Sequence, residues 1–203
     1  FHLRDSQALA PGYHYHEFDK LVLQLGGRVT YNIEGKSYPL QPMDVLLVGR
    51  GMIHLPVTEP GQVYERMVLW IDRAFLSRFS APEAELADCF TLAERREFHL
   101  YRPRGEERER YRGLFERVRD ASDGQFAARL LADTCVLQLM IALNRDIRTP
   151  LPDSGAACRF DPKMEAVTRY IREHLSERLS IDRLAGTFYL SRYYLMHRFK
   201  AAY

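Results

Sequence analysis

The chain has 203 residues, 46% hydrophobic and 28% charged, with a formal net charge of +2 at pH 7. This mix buries a core in one large domain or two small ones, and it excludes a collagen, a disordered chain and a disulfide scaffold. No apolar run approaches the ~20 residues of a membrane span, and residues 1–11 carry charge where a secretory signal has an apolar stretch. Cys89, Cys135 and Cys158 are odd in number and widely spaced, which suits reduced thiols in a cytoplasmic protein rather than bridges.

Short apolar or alternating runs at 20–25, 28–33, 37–40, 44–48 and 63–71 predict strands, separated by turn signals at Gly26-Gly27, Glu34-Gly35, Pro42, 49–51 and Pro60-Gly61. Strands this short and this regularly punctuated suit an antiparallel barrel or sandwich. Residues 98–101 read as a last short strand. Tyr111, Leu114, Phe115 and Val118 follow the i, i+3, i+4, i+7 spacing of a helix over 106–119. Ser122-Asp123-Gly124 breaks it, and 125–144 resumes as a second helix, apolar around much of its circumference. Packing on the barrel and packing on a partner subunit both account for that circumference.

Residues 149–159 hold two prolines, one glycine and few large apolar groups, the composition of a linker. Beyond it, Asp161 can cap a helix with Pro162 at its first position, and Met164, Val167, Ile171 and Leu175 make its stripe. Ser180 can cap a second helix with Asp182 near its positive end, and Ser191 a third in which Leu195 and Phe199 face inward. Residues 161–203 hold eight basic and five acidic side chains, so the whole cationic excess lies in the last fifth of the chain. Both a polyanion partner and an ordinary solvated helix surface fit that excess.

The last stretch reads LSIDRLAGTFYLSRYYLMHRFKAAY. A small Ala185 where two helices cross, with Leu184, Leu190, Leu195 and Phe199 on the inner faces, fits a helix-turn-helix. The second helix then turns Arg192, Tyr193, Met196 and His197 outward, offering apolar contact to a thymine methyl and donors to base edges. Arg192, Arg198 and Lys200 are placed to neutralise phosphates. Amphipathic helices of some other helical domain share the periodicity. With YIREHL before it, however, the string resembles the first helix-turn-helix of AraC-type bacterial transcription regulators: the Leu184-Ala185 pair, Ser191, Leu195 and Phe199-Lys200 all fall on the family pattern. The resemblance implies base contacts by Tyr193, Met196 and His197. The family carries two such units, and the sequence stops where the first ends, so a fragment is expected.

The front half is similar to the cupin barrel these regulators use as a sensor, with His14-x-His16, the Glu34-Gly35 hairpin, a turn at 42–44 and His54 in the expected order. Metal-binding cupins place a carboxylate about four residues after the second His, and that position is Lys20 here. The expectation is therefore no metal and no cofactor. Instead His14, His16, Lys20 and His54, with Gln24 on the face of Lys20 and Tyr31 on the next strand, are expected to form a donor-rich pocket for an anionic or sugar-like small molecule. Arg50 and the arginine-rich runs at 95–96 and 102–112 are expected to be solvated.

The expected protein is α+β. Residues 1–82 form an antiparallel cupin barrel (a double-stranded β-helix) that senses a ligand, and 83–148 a helical connector and dimerisation hairpin. Residues 149–160 are a linker, and 161–203 a truncated all-α helix-turn-helix domain. It is expected to be no enzyme but a cytoplasmic, homodimeric, effector-controlled regulator of double-stranded DNA, without membrane contact. The alternative is a metal-dependent cupin enzyme or a plain small-molecule-binding module.

Overall fold

Alternation along Asp19–Gly26 (β2) sends Leu21 and Leu23 to one side and Lys20, Val22 and Gln24 to the other. Both sides are covered: Leu21, Val22, Leu23 and Gln24 are each at most 1% exposed. In the computed structural model, which describes residues 1–5, 12–121, 125–148 and 162–202, β2 lies at the centre of a five-stranded antiparallel sheet. Its neighbours are His2–Asp5 (β1), Val45–Val48 (β5), Tyr64–Ile71 (β7) and Leu100–Tyr101 (β8), in the order β1-β7-β2-β5-β8. Val29–Ile33 (β3), Lys36–Pro39 (β4) and His54–Thr58 (β6) make a second antiparallel sheet ordered β4-β3-β6.

Val22, Leu46, Val48 and Val68 of the first sheet share one core with Val29, Tyr31, Ile33 and Tyr38 of the second. On the opposite face, Leu21, Leu23, Val45, Leu47, Met67 and Ile71 pack against the helices Arg73–Ser77 (α1), Asp88–Arg95 (α2), Glu106–Asp120 (α3) and Ala128–Asp146 (α4), through Leu76, Phe90, Phe115 and Leu139. The architecture is α+β with antiparallel sheets. A glycine is obligatory at Gly27, where φ is +90° and a Cβ would fall 2.2 Å from the Val63 carbonyl oxygen.

The five predicted strands and the last short one form within a residue or two of the expected ends, except that Phe98 and His99 precede β8. Two further strands, β1 and β6, were not predicted. Both are edge strands: β1 is largely exposed and lacks an alternating pattern, and Pro56 in β6 is tolerated because an edge position asks less of the backbone N–H. The unpredicted α1 and α2 have five and eight residues, too few to establish a period. The Ser122–Gly124 break, the 149–160 linker, the Asp161 cap, Cys158 and Tyr203 lie outside the described residues.

Helix α4 buries Ala128, Cys135, Leu139, Met140 and Leu143 but leaves Leu130, Leu131 and Ile141 at 40% exposure or more. Cys89 and Cys135 are buried, unbridged thiols, and burial pushes the Cys89 thiol up to about 12. Pro162–Glu173 (α5), Ile181–Thr187 (α6) and Arg192–Ala202 (α7) close on a separate small core of Met164, Val167, Leu184, Ala185 and Leu195. Leu175 does not continue the α5 stripe, because the helix ends at Glu173 and Leu175 is 74% exposed.

Arg102 is not the solvated arginine expected. Its Nε and Nη2 each donate to the buried Asp44 carboxylate at 2.7 Å, which also accepts the Gln41 N–H at 2.8 Å. Removing one partner of a buried pair leaves the other charge uncompensated. Arg102→Ala should lower unfolding stability by about 3–5 kcal/mol in urea titration, and Arg102→Ala with Asp44→Asn should lower it less.

Candidate functional site

The loop before β2 runs beside β6: the backbones of His14 and His54 exchange hydrogen bonds at 3.2 and 2.9 Å. This bridge gathers three imidazoles. Ring centroids lie 5.0 Å apart for His14–His16, 4.4 Å for His14–His54 and 5.1 Å for His16–His54. His54 is fully buried, and its Nδ1 lies 2.9 Å from the Met52 carbonyl oxygen. His14 Nδ1 lies 2.9 Å from the Gly12 carbonyl oxygen. A carbonyl only accepts, so both Nδ1 atoms carry the hydrogen and both Nε2 atoms keep a lone pair, that of His54 facing Lys20.

Lys20 enters from β2, donating to the Tyr31 hydroxyl at 3.0 Å and lying 3.3 Å from His54 Nε2. Burial, with the Arg66 charge adding to it, lowers its pKa to about 8, so at pH 7 it is an ammonium. Burial takes His54 down to about 3, with the Lys20 charge acting in the same direction. His16 is lowered for the same two reasons. Burial pushes the Tyr31 phenol up, so it keeps its proton. The pocket differs here from the donor-rich one expected: its buried imidazole offers a lone pair, and the donors are Lys20 and Tyr31.

Gln24 stands apart. It is about 13 Å along the strand from Lys20, and its amide donates to the Gly26 and Gly27 carbonyls at 2.8 and 3.0 Å. Trp70 was missed. It lies directly opposite Lys20 across the β2–β7 ladder, hence on the same face, and is 56% exposed. Phe18 packs 5.2 Å from it and stacks on His16 at 4.7 Å. The sequence gives no signal for it, because β7 runs on to the buried Ile71 and its burial pattern does not alternate. Glu17 and Asp19 serve elsewhere: Glu17 pairs with the exposed Arg50, while Asp19 holds Arg73 and the Arg50 N–H.

The β3–β4 turn links this pocket to α5. Glu34 and Gly35 both have positive φ, 51° and 77°, the geometry of a tight two-residue hairpin. Glu34 accepts the Ile53 N–H at 2.7 Å, next to His54, and pairs with Arg172 of α5. Lys36 joins Glu97 at 3.0 Å and Glu165 of α5 at 3.7 Å. Beneath them His99 is 3% exposed, and burial lowers it to about 4.

At the other end of the chain, Ser180 Oγ accepts the Arg183 N–H at 3.2 Å and Ser191 Oγ the Tyr194 N–H at 3.1 Å, so both predicted caps are present. Helix α6 ends at Thr187, and Tyr189, two residues on, has φ 52°. The Leu190 N–H returns to the Ala185 carbonyl and the Tyr189 N–H to that of Gly186, a Schellman closure that turns the chain sharply into α7. Leu195 is buried at the crossing. Arg192, Tyr193, Met196, His197, Arg198 and Lys200 are all exposed, Tyr193 stacks on His197 at 5.9 Å, and Arg192 reaches Asp182 of α6 at 3.3 Å.

No protein-family model matches the chain, and no curated protein does. Solved structures similar to it include the AraC-like transcriptional activator CuxR, at 15% identity and a TM-score of 0.44 over 91% of this chain and 61% of that one. ToxT from Vibrio cholerae is similar at 11% identity and a TM-score of 0.43, over 100% and 74%. KdgF from Halomonas sp. is similar at 20% identity and a TM-score of 0.30, over 36% and 68%. Among the described residues, no helix is long and apolar enough to cross a membrane.

The His99 environment predicts an acid-sensitive fold. The unfolded chain takes up the proton near pH 6.5 and the folded chain only near 4, so stability falls as pH drops through that window. Unfolding free energies measured from pH 7 to 4 should show it, and His99→Leu should remove up to about 1.4 kcal/mol per pH unit of the slope.

Proposed function

We propose that the chain is a sequence-specific, DNA-binding transcription regulator whose activity is set by a small molecule held at His14, His16, Lys20, Tyr31 and His54. The observation that carries this reading is the α6–α7 unit. A Ser-capped helix is turned sharply onto its neighbour, anchored inward by Leu195, and bears an unbroken outward face of aromatic, Met, His and cationic side chains. A face of that composition suits insertion in a major groove. Tyr193, Met196 and His197 are the base-contacting set, and Arg192, Arg198 and Lys200 hold phosphates. We place the sensor at 1–82 as a cupin barrel, the connector at 83–148, and the first helix-turn-helix at 161–203, working in the cytoplasm where the DNA is.

The contacts of Glu34 and Lys36 with α5 are the route for control. The hairpin that carries Tyr31 also grips the reading unit, so an effector that repacks the pocket biases how that unit is docked. The regulator is proposed to act as a homodimer through α4. Leu130, Leu137 and Ile141 lie along one stripe, with Leu131 beside it, and grooves flank Ile141 on both sides.

Selection of sites from randomised duplex DNA, followed by fluorescence anisotropy, tests the reading face. His197→Ala should change preference at a base position by about 1–3 kcal/mol. Lys200→Ala should weaken all sequences alike and reduce the log–log salt slope by about 1. Equal, uniform losses for both variants would contradict the assigned face. In sedimentation analysis, Leu130→Arg with Ile141→Arg should give a folded monomer where the unaltered chain is a dimer.

A further inference from the structure

The apolar cores of the sensor and of the reading unit share no residue, and the contacts that join them at α5 are ionic. Helix α5 is two-sided. Met164, Val167 and Ile171 close on α6 and α7. Glu165, Thr168, Arg169 and Arg172, spaced i, i+3, i+4, i+7, line a cleft of about 160 Å³ against the sensor. Across that cleft stand Lys36 of β4, Glu34 of the hairpin, and Glu97. The φ of Glu97 is 51°, a left-handed conformation rare for an L residue. Its carbonyl and carboxylate both accept from Lys36 Nζ, at 2.9 and 3.0 Å. Backbone strain of this kind persists where surrounding contacts hold it, at ligand clamps and switches.

Glu165 brings a second carboxyl to this cluster. It lies 3.7 Å from Lys36 Nζ and within hydrogen-bond reach of the Glu97 carboxyl. Two ionised carboxylates only accept, so that contact needs a proton held between them. Burial and the Glu97 contact raise the Glu165 pKa, while the same contact and Lys36 lower that of Glu97. Glu165 therefore carries the shared proton. Arg169 favours the ionised form of both carboxyls, Arg172 is engaged by Glu34, and Glu94 lines the cleft from α2. His99 below is kept neutral by burial, with the Lys36 charge acting in the same direction. With α5 lifted away, Glu97 keeps Lys36 and Glu165 becomes a solvated carboxylate with its ordinary pKa of 4.5. A group whose pKa is raised in the closed state stabilises that state at low pH. Its contribution is lost as pH rises through the raised value. Closing thus takes up one proton, in a window that starts at 4.5 and extends above it.

We propose that the docking of α5 on the sensor is proton-linked: Glu97 and Glu165 share one proton across the joint, so acid closes it and alkali loosens it. This deepens the route of control above and rests on the reading unit moving as one body. The test follows the full chain by single-molecule energy transfer between dyes on Glu83→Cys and Ser176→Cys, both exposed positions. Cys158→Ser confines labelling to that pair, since Cys89 and Cys135 are buried. From pH 8 to 5 the ratio of docked to undocked molecules should rise by up to about tenfold per pH unit, the limit for one proton. Glu165→Gln, whose amide donates to Glu97 as the protonated acid does, should stay docked throughout. Glu165→Ala should stay largely undocked, with far-ultraviolet circular dichroism confirming the fold of both variants. A ratio that ignores pH overturns the proposal, and so does a response that survives Glu165→Gln. Opening on acidification overturns it too, and traces instead to protonation of His99. Sequence-selective DNA binding is measured separately: its absence sinks the regulator reading, whereas the proton link stands or falls on the dye distance alone.

Discussion

Strand β2 is buried on both faces, and the molecule is organised by what each face meets. Its Leu21 and Leu23 side requires helices, supplied by α1 to α4, and its Val22 side requires a second sheet. A one-residue slip would exchange the two sets and put Lys20 under the helices. The same alternation that makes the core therefore delivers a lysine to the end of the inter-sheet space, opposite Trp70 and within reach of Tyr31 and His54. The β2 register is a condition for both folding and chemistry.

Electrostatics then sort the carboxylates. Asp19 and Asp44 are fully buried, and each is matched by an arginine fork plus a backbone N–H, the arrangement in which a buried charge is tolerated. The cluster of His14, His16, Lys20 and His54 is the reverse: the hydrogen bonds described there join a cation, an imidazole and a phenol and include no carboxylate. Asp19 and Asp44 thus serve as structural clamps for Arg73 and Arg102.

The hairpin of β3 and β4 connects the two proposed activities. Its inward side chain, Tyr31, holds Lys20, while its tip residue, Glu34, holds both the Ile53 N–H and Arg172. On the proposed reading, a shift of this hairpin would change contacts at both ends, because packed cores adopt discrete arrangements rather than deform continuously.

Sequence alone determined the elements whose signals are local. The alternating strands, the two long helices, the Ser180 and Ser191 caps and the outward set on α7 are all readable from spacing and capping chemistry. The two edge strands and the short helices were not readable, because segments of four to eight residues are too short to establish a period, β1 is largely exposed and Pro56 interrupts β6. Only the tertiary structure decided which charges are spent. Arg102 and Asp44, 58 residues apart, meet because β5 pairs with β8, and Gln24 turns to its own hairpin rather than to Lys20. The three imidazoles came together for the same reason. His14, His16 and His54 come from two segments, and the backbone bridge that joins them spans 40 residues of sequence.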